Sequence, residues 1–124
     1  MHGLRFNIHT KVHILRAAQE GIAFALKYGL EIMSETGISV NKVRTGYANM
    51  FLSPVFTEAF ATVTDAVVEL YNTDGSQGAA RGAGIGAGVF KTTAEAFTGL
   101  KIKKVIKPDK NKRAAYSNAY SLWN

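Results

Sequence analysis

The chain has 124 residues, of which 47% are hydrophobic and 19% charged, with a formal net charge of +6. This composition fits one folded domain and excludes a disordered chain. The lack of cysteine excludes disulfide bonds and cysteine-ligated metal sites, and it favours a cytoplasmic location. Neither a membrane-spanning run nor the apolar core of a signal peptide is found, so no membrane partner is expected.

The first predicted element is a helix over residues 13–35, where apolar residues recur at intervals of three and four. Thr10 is a plausible N-cap if the helix begins a little earlier, and Gly37 provides the glycine that ends it. A short strand is expected at residues 38–43, followed by a loop at residues 44–47. Helix and strand are therefore expected to alternate from the start of the chain.

The same alternation continues to the end of the chain. Ser53 and Pro54 predict the start of a second helix that runs through Val63, because serine caps a helix and proline suits its first turn. The later elements are a strand at 66–71, a small-residue helix at about 75–90, a helical segment at 92–97, a strand at 100–106 and a last helix at about 109–122 with an exposed basic face. This order predicts an α/β domain with parallel strands. Three strands are few for such a sheet, so the chain looks like part of a larger domain.

Basic residues concentrate near the C-terminus. Eight of the fifteen lie from residue 91 onward: Lys91, Lys101, Lys103, Lys104, Lys107, Lys110, Lys112 and Arg113. Such a stretch could bind nucleic acid, and salt-dependent affinity would then be expected. However, Lys101 and Lys103 alternate with Ile102, as on an edge strand, and no aromatic stacking platform lies beside them. The pattern therefore favours a solvated surface without a nucleic-acid partner.

Residues 72–88 form the most distinctive stretch, built mainly from residues with short side chains. A strand, an acidic turn and a small-residue helix follow one another here, as is typical of nucleotide-binding α/β domains. Glycine weakens a helix by roughly 1 kcal/mol relative to alanine, so close packing is expected to offset it. Residues 82–87 match a relaxed dinucleotide-binding fingerprint. Those glycines belong at the turn directly after the strand, so the match does not favour dinucleotide binding.

Three stretches carry a likeness to one enzyme family. They are Gly3-Leu4 with residues 13–21, residues 44–49, and residues 74–83. In that order they resemble the second signature, the adenosine motif, and the acidic turn with its Gly-Ala-Ala helix of the FGGY carbohydrate kinases. Residues 48–54 and 69–75 are most similar to the xylulose kinase branch of that family.

The resemblance implies an α/β fold that is part of an actin-like, ribonuclease-H-like ATPase domain, with parallel strands and packed helices. Residues 1–124 would be the later portion of the C-terminal, nucleotide-side domain, which is then incomplete. The longer enzyme would transfer a phosphoryl group from ATP, with Mg²⁺, to a hydroxyl of a ketose or polyol. Its sugar, a pentulose such as D-xylulose, would bind through the missing N-terminal part. The family's phosphate motifs and catalytic aspartate have no match here, so no catalytic residue is assigned and the chain alone is expected to be inactive.

One candidate cofactor site follows from the resemblance: Gly46, Tyr47, Ala48 and Asn49. Gly46 would let the adenine ring approach the backbone, Asn49 would bond a purine edge, and Tyr47 is a weaker candidate for stacking. Arg44 and Thr45 stand where the family has glycines. The residues alone also allow Gly46 to serve a turn and Asn49 to cap the next helix.

The remaining polar residues have structural interpretations. Arg16 and Glu20, four residues apart, predict a helix ion pair rather than a catalytic acid. Asp65, Asp74 and Asp109 fall at turns or helix starts, where capping explains them. The histidines near the N-terminus have no further ligand type beside them, so no metal site is assigned.

A stand-alone binding or interaction module is the alternative to a kinase fragment. In either case an uncovered strand edge, at residues 38–43 or 66–71, is expected to invite pairing with another chain. The chain is therefore expected to form a homo-oligomer.

Overall fold

The computed structural model describes residues 3–124, and in that part helices and strands alternate. The elements are α1 (Lys11–Glu35), β1 (Lys42–Gly46), a 3₁₀ turn (Asn49–Leu52), α2 (Pro54–Thr64), β2 (Val67–Tyr71), α3 (Gly75–Gly86), α4 (Thr93–Ala96), β3 (Ile102–Ile106) and α5 (Arg113–Trp123). This order confirms the predicted α/β class. None of these helices combines the length and the apolar character that a membrane crossing requires.

The three strands form a mixed sheet in the order β1-β2-β3. β1 and β2 are parallel, with Gly46 opposite Tyr71, so the predicted parallel arrangement holds for this pair. β3 runs antiparallel to β2, which the sequence did not indicate. The pairing begins just beyond the end of β2: Lys101 donates its backbone N–H to the Asn72 side chain at 2.6 Å, and Asn72 donates its own to the Lys101 carbonyl at 3.0 Å. β3 therefore starts where β2 ends.

The hydrophobic core lies between one face of the sheet and helices α1, α2 and α5. Val68 and Leu70 of β2 are fully buried and belong to the same core cluster as Phe56 and Phe60. The rings of Phe56 and Phe60 stack with their centroids 6.1 Å apart. Because side chains alternate along a strand, Glu69, which lies between Val68 and Leu70 in β2, is on the opposite face of the sheet.

Helix starts follow the predicted caps. Thr10 is the N-cap of α1, and its backbone N–H donates to His13 Nδ1 at 3.1 Å. Ser53 caps α2 by accepting from the Phe56 N–H, and Asp74 caps α3 by accepting from the Gln77 N–H at 2.9 Å. These local signals confirm the starts of α1, α2 and α3.

Other structural assignments of polar residues also hold. Arg16 Nε lies 2.7 Å from Glu20 Oε1, as the four-residue spacing predicts. Asp65 ends α2 in the left-handed conformation, with φ of 55°, and pairs with Arg113. Asp109 accepts from the Asn111 N–H at 3.0 Å within a turn. Capping and turn formation therefore account for both aspartates.

Three predicted boundaries are wrong by several residues. β1 covers Lys42–Gly46 rather than residues 38–43, so most of the predicted loop is strand. Pairing with β2 decides this, because residues 42–46 lie in register with residues 67–71. α3 ends at Gly86, before a left-handed Gly88, and α5 begins only at Arg113. The lysines predicted to form a basic face on the last helix thus precede it.

The glycine-rich helix α3 is not closely packed, contrary to expectation. None of its residues is buried. A Cβ atom added to Gly75, Gly78, Gly82 or Gly86 would meet no atom within 4 Å beyond the helix's own backbone, and only Gly84 packs closely, against the ring of Phe90. Within residues 3–124 its main neighbour is the short helix α4, so most of its small-residue surface is uncovered.

Gly46 and Gly82 allow a paired prediction for the free energy of unfolding. A Cβ on Gly46 would overlap the Thr73 carbonyl oxygen and lie 2.9 Å from its carbon. We expect Gly46→Ala to lower the free energy of unfolding by about 1–3 kcal/mol, since backbone cannot rotate away. Gly82 is helical and open, so Gly82→Ala should raise it by about 0.5–1 kcal/mol. Urea unfolding followed by circular dichroism measures both, and equal responses would contradict the packing of Gly46.

Candidate functional site

A cavity of about 920 Å³ lies where β1 and β2 end. The two strands are parallel, so their carboxyl ends meet at one edge of the sheet, a usual position for ligand sites in α/β folds. Most of the wall is apolar, with side chains from α1, the 3₁₀ turn and the region of α4: Ile22, Leu26, Met50, Phe51, Phe97 and Leu100. The size and character of this cavity suit a small organic ligand.

Three of the four predicted site residues lie on this wall. Gly46, Ala48 and Asn49 line the cavity. Tyr47 does not, and this residue is 43% exposed. The structure therefore gathers the backbone of the predicted adenosine motif at the cavity, while a stacking role for Tyr47 gains no support from the geometry. Their binding role stays a prediction.

Gly46 is required by the packing of the chain itself. It lies directly against the Thr73–Asp74 backbone, where the turn before α3 crosses the end of β1. This observation agrees with the interpretation of Gly46 as a structural glycine, and it does not exclude a ligand on the other side. A bulky substitution at Gly46 would disturb folding as well as any ligand, so it is a poor test of binding.

Asn49 begins the 3₁₀ turn in the left-handed conformation, with φ of 53°. Asparagine tolerates this conformation better than most residues. Its side-chain amide makes no hydrogen bond with any residue in the range 3–124. The amide therefore offers one donor group and one acceptor at the cavity wall.

Asp74 places a carboxylate at the cavity. Its Oδ1 accepts from Ser76 Oγ at 2.7 Å and from the Gln77 N–H at 2.9 Å. These two hydrogen bonds, that of Ser76 first, lower the pKa of Asp74. The N-terminus of α3 is thus already capped by a negative charge, which opposes an anion there and leaves Oδ2 as an acceptor.

A polar cluster on the open sheet face adjoins the cavity and was not predicted. The carboxylate of Glu69, whose side chain is only 11% exposed, accepts from Lys42 Nζ at 2.7 Å, from Arg44 Nε at 3.1 Å and from the Tyr71 hydroxyl at 3.0 Å. The hydrogen bond from Lys42 is the main cause, and that from Arg44 the second, of a pKa of Glu69 lowered to about 2. Arg44 and Tyr71 also line the cavity.

The sequence carried a signal for this cluster. Lys42 and Arg44 are two residues apart and therefore share one face of β1, and the next strand carries a single glutamate, Glu69. The parallel register then sets Arg44 opposite Glu69. The prediction missed it because Arg44 was placed in a loop, where alternation has no meaning.

Two other sequence features lie elsewhere. The dinucleotide-like residues 82–87 fall in the second half of α3 and just beyond it, away from the end of β2, so they cannot form the turn that such sites need. Lys101, Lys103 and Lys104 are exposed around β3, as expected for an edge strand. Across residues 3–124, no group of three His, Asp or Glu side chains could hold a metal ion.

Comparison with known proteins points to sugar kinases. No protein-family model matches the chain. The chain is 31% identical over 121 residues to the L-xylulose/3-keto-L-gulonate kinase of Escherichia coli (strain K12). The matched region covers 94% of this chain and 24% of that enzyme. The chain spans about a quarter of the length of this relative.

Two solved structures have a similar fold. One is a xylulose kinase from Rhodospirillum rubrum, with a TM-score of 0.73 and 24% identity, and the other a xyloylose kinase from Brucella ovis, with a TM-score of 0.79 and 22% identity. In both cases 98% of this chain matches 25% of the other. These matches confirm the expected α/β fold and show that the chain has the fold of about a quarter of each of these kinases. The chain is related in sequence and fold to about one quarter of such an enzyme.

The Glu69 cluster generates a prediction for pH dependence. A lowered pKa means that the ionised carboxylate stabilises the fold above the ordinary value of 4.5, and that this contribution is lost as the pH falls toward 2. We expect Glu69→Gln to lower the melting temperature at pH 7, and its difference from the unaltered chain to shrink between pH 5 and pH 2.

Glu35→Gln is the matched control, because Glu35 makes no ion pair within residues 3–124. Its melting temperature should follow that of the unaltered chain at every pH. Thermal unfolding at steps of half a pH unit measures all three proteins. If the melting temperatures of Glu69→Gln and the unaltered chain differed by the same amount at every pH, the stabilising role of the cluster would be contradicted.

Proposed function

We propose that this chain forms the adenosine-binding part of an ATP-dependent sugar kinase. The observation that carries the proposal is the cavity at the ends of β1 and β2, whose wall includes Gly46, Ala48 and Asn49. The relation to sugar kinases over almost the whole chain supports the same conclusion.

The chemistry of the cavity suits a nucleoside. The apolar side of the cavity, which includes Ile22 and Phe97, offers a purine ring an apolar surface to pack against. The Asn49 amide can donate to and accept from a purine edge. The open Oδ2 of Asp74 can accept a hydrogen bond from a ribose hydroxyl, as carboxylates do in other nucleotide sites.

The wider proposal concerns a longer enzyme of the FGGY family, most like its xylulose kinases. Residues 1–124 would supply the later portion of the nucleotide-side domain. The enzyme would use ATP and Mg²⁺ to phosphorylate a ketose or polyol such as D-xylulose, in the cytoplasm. The E. coli relative, whose name gives two keto sugars, supports this substrate class. Phosphoryl transfer also needs a base, a metal and phosphate clamps, so the chain alone should not turn over.

Adenosine binding tests the proposal directly. Titration of the ¹⁵N-labelled chain with millimolar adenosine should shift the amide resonances of Gly46, Ala48 and Asn49. Asn49→Gly keeps the left-handed backbone and removes the amide, so it should weaken binding about three- to tenfold, the usual effect of one lost hydrogen bond.

Asn118→Ala serves as the control, since Asn118 is exposed on α5 and does not line the cavity. It should leave the dissociation constant unchanged. Shifts scattered over the surface, or none at all, would contradict the proposed site.

An interaction module is the second candidate, and the exposed apolar surface favours it. Phe6 is 88% and Leu122 90% exposed. β1 is an open edge of the sheet, since it pairs only with β2 among residues 3–124. β2 has strands on both sides, so the expectation of an uncovered edge at residues 66–71 is wrong.

We therefore expect the isolated chain to form a homodimer or larger assembly through the edge of β1. Light scattering coupled to size exclusion measures the mass at high protein concentration. Phe6→Ser should leave the mass unchanged if the sheet edge is the contact, and reduce it if the apolar surface is. A strict monomer with a cooperative thermal transition would contradict the expectation.

A further inference from the structure

Arg44 belongs both to the Glu69 cluster and to the cavity wall. Its Nε donates to Glu69 Oε2 at 3.1 Å. Its two terminal nitrogens make no hydrogen bond with any residue between 3 and 124, and its side chain is 68% exposed. Lys42 donates to the same carboxylate but does not line the cavity. The cluster thus presents one of its two cations to a ligand.

We infer that Arg44 binds a phosphate group of the nucleotide at the rim of the cavity, and that Glu69 holds it in position. This inference rests on the proposed adenosine site and extends it from the nucleoside to the phosphate.

The distribution of charge around the cavity supports a phosphate contact at Arg44. On the wall that residues 3–124 form, Arg44 is the one cation and Asp74 the one carboxylate. Asp74 already caps α3, so this helix start repels a phosphate rather than binding it. A nucleotide with its base against the apolar wall would therefore direct its charged end toward Arg44.

The geometry of the guanidinium is also suitable. Arginine presents a planar fork of donors that matches the oxygens of a phosphate. Glu69 engages only Nε, which leaves both terminal nitrogens for the ligand. Lys42 and Tyr71 hold the carboxylate from other directions, so the side chain of Arg44 loses less conformational freedom on binding.

The test compares ADP, without added metal, with adenosine, using ¹⁵N spectra of the full 124-residue chain. Arg44→Ala should weaken ADP binding about tenfold and change adenosine binding less than twofold. Lys103→Ala is the matched control, because Lys103 is exposed on β3 and belongs neither to the cavity wall nor to the Glu69 cluster; both affinities should stay within about twofold. Glu69→Gln should weaken ADP binding about threefold, with adenosine again unaffected, since it acts through Arg44.

Four other results would each refute the inference or the adenosine site on which it rests. If Arg44→Ala weakened the binding of ADP and of adenosine equally, Arg44 would contact the base, and the phosphate contact would be refuted. Equal losses of ADP affinity in Lys103→Ala and Arg44→Ala would assign the effect to general charge. If adenosine binds but Arg44→Ala changes neither ligand, the inference alone is wrong. If the unaltered chain binds neither ligand, the proposed adenosine site is wrong and the inference with it.

Discussion

The contact between Gly46 and the Thr73–Asp74 backbone is the constraint on which the candidate site depends. Parallel pairing brings the ends of β1 and β2 to one edge, and the missing side chain of Gly46 leaves room for the Thr73 carbonyl of the turn before α3 to cross that edge. Residues of the 3₁₀ turn and of the first turn of α3 both line the cavity at this crossing.

The two faces of the sheet have different chemistry, and the cavity lies where they meet. One face is closed by helices and contributes apolar side chains such as Val68 and Leu70 to the core. The other carries Glu69 with its cationic neighbours. A ligand at the strand ends thus contacts an apolar surface on one side and a charged one on the other. That asymmetry matches a nucleotide, which has an apolar ring at one end and negative charge at the other.

Most of the fold could be predicted from the sequence, and the errors at the strands have one cause. α1 and α2 are bounded by local signals, since Thr10 and Ser53 cap them and Gly37 follows the first. The bounds of β1 depend on its partner strand, so residues that are polar or glycine join the ladder against their own propensity. The gathering of Gly46, Ala48 and Asn49 followed from a motif at a strand end. The pairing of Arg44 with Glu69 could be found only by combining the alternation within β1 with the register across the sheet.

The uncovered glycine helix has a thermodynamic consequence. A helix with five glycines between Gly75 and Gly86 and no buried residue opens locally at little free-energy cost. Its first turn includes Gly75, on the cavity wall beside Asp74. Any molecule that requires this turn to be folded must supply the free energy of ordering it. A protein surface that covered α3 would order the same turn in advance, so a ligand that needs this turn folded would bind more tightly when α3 is covered.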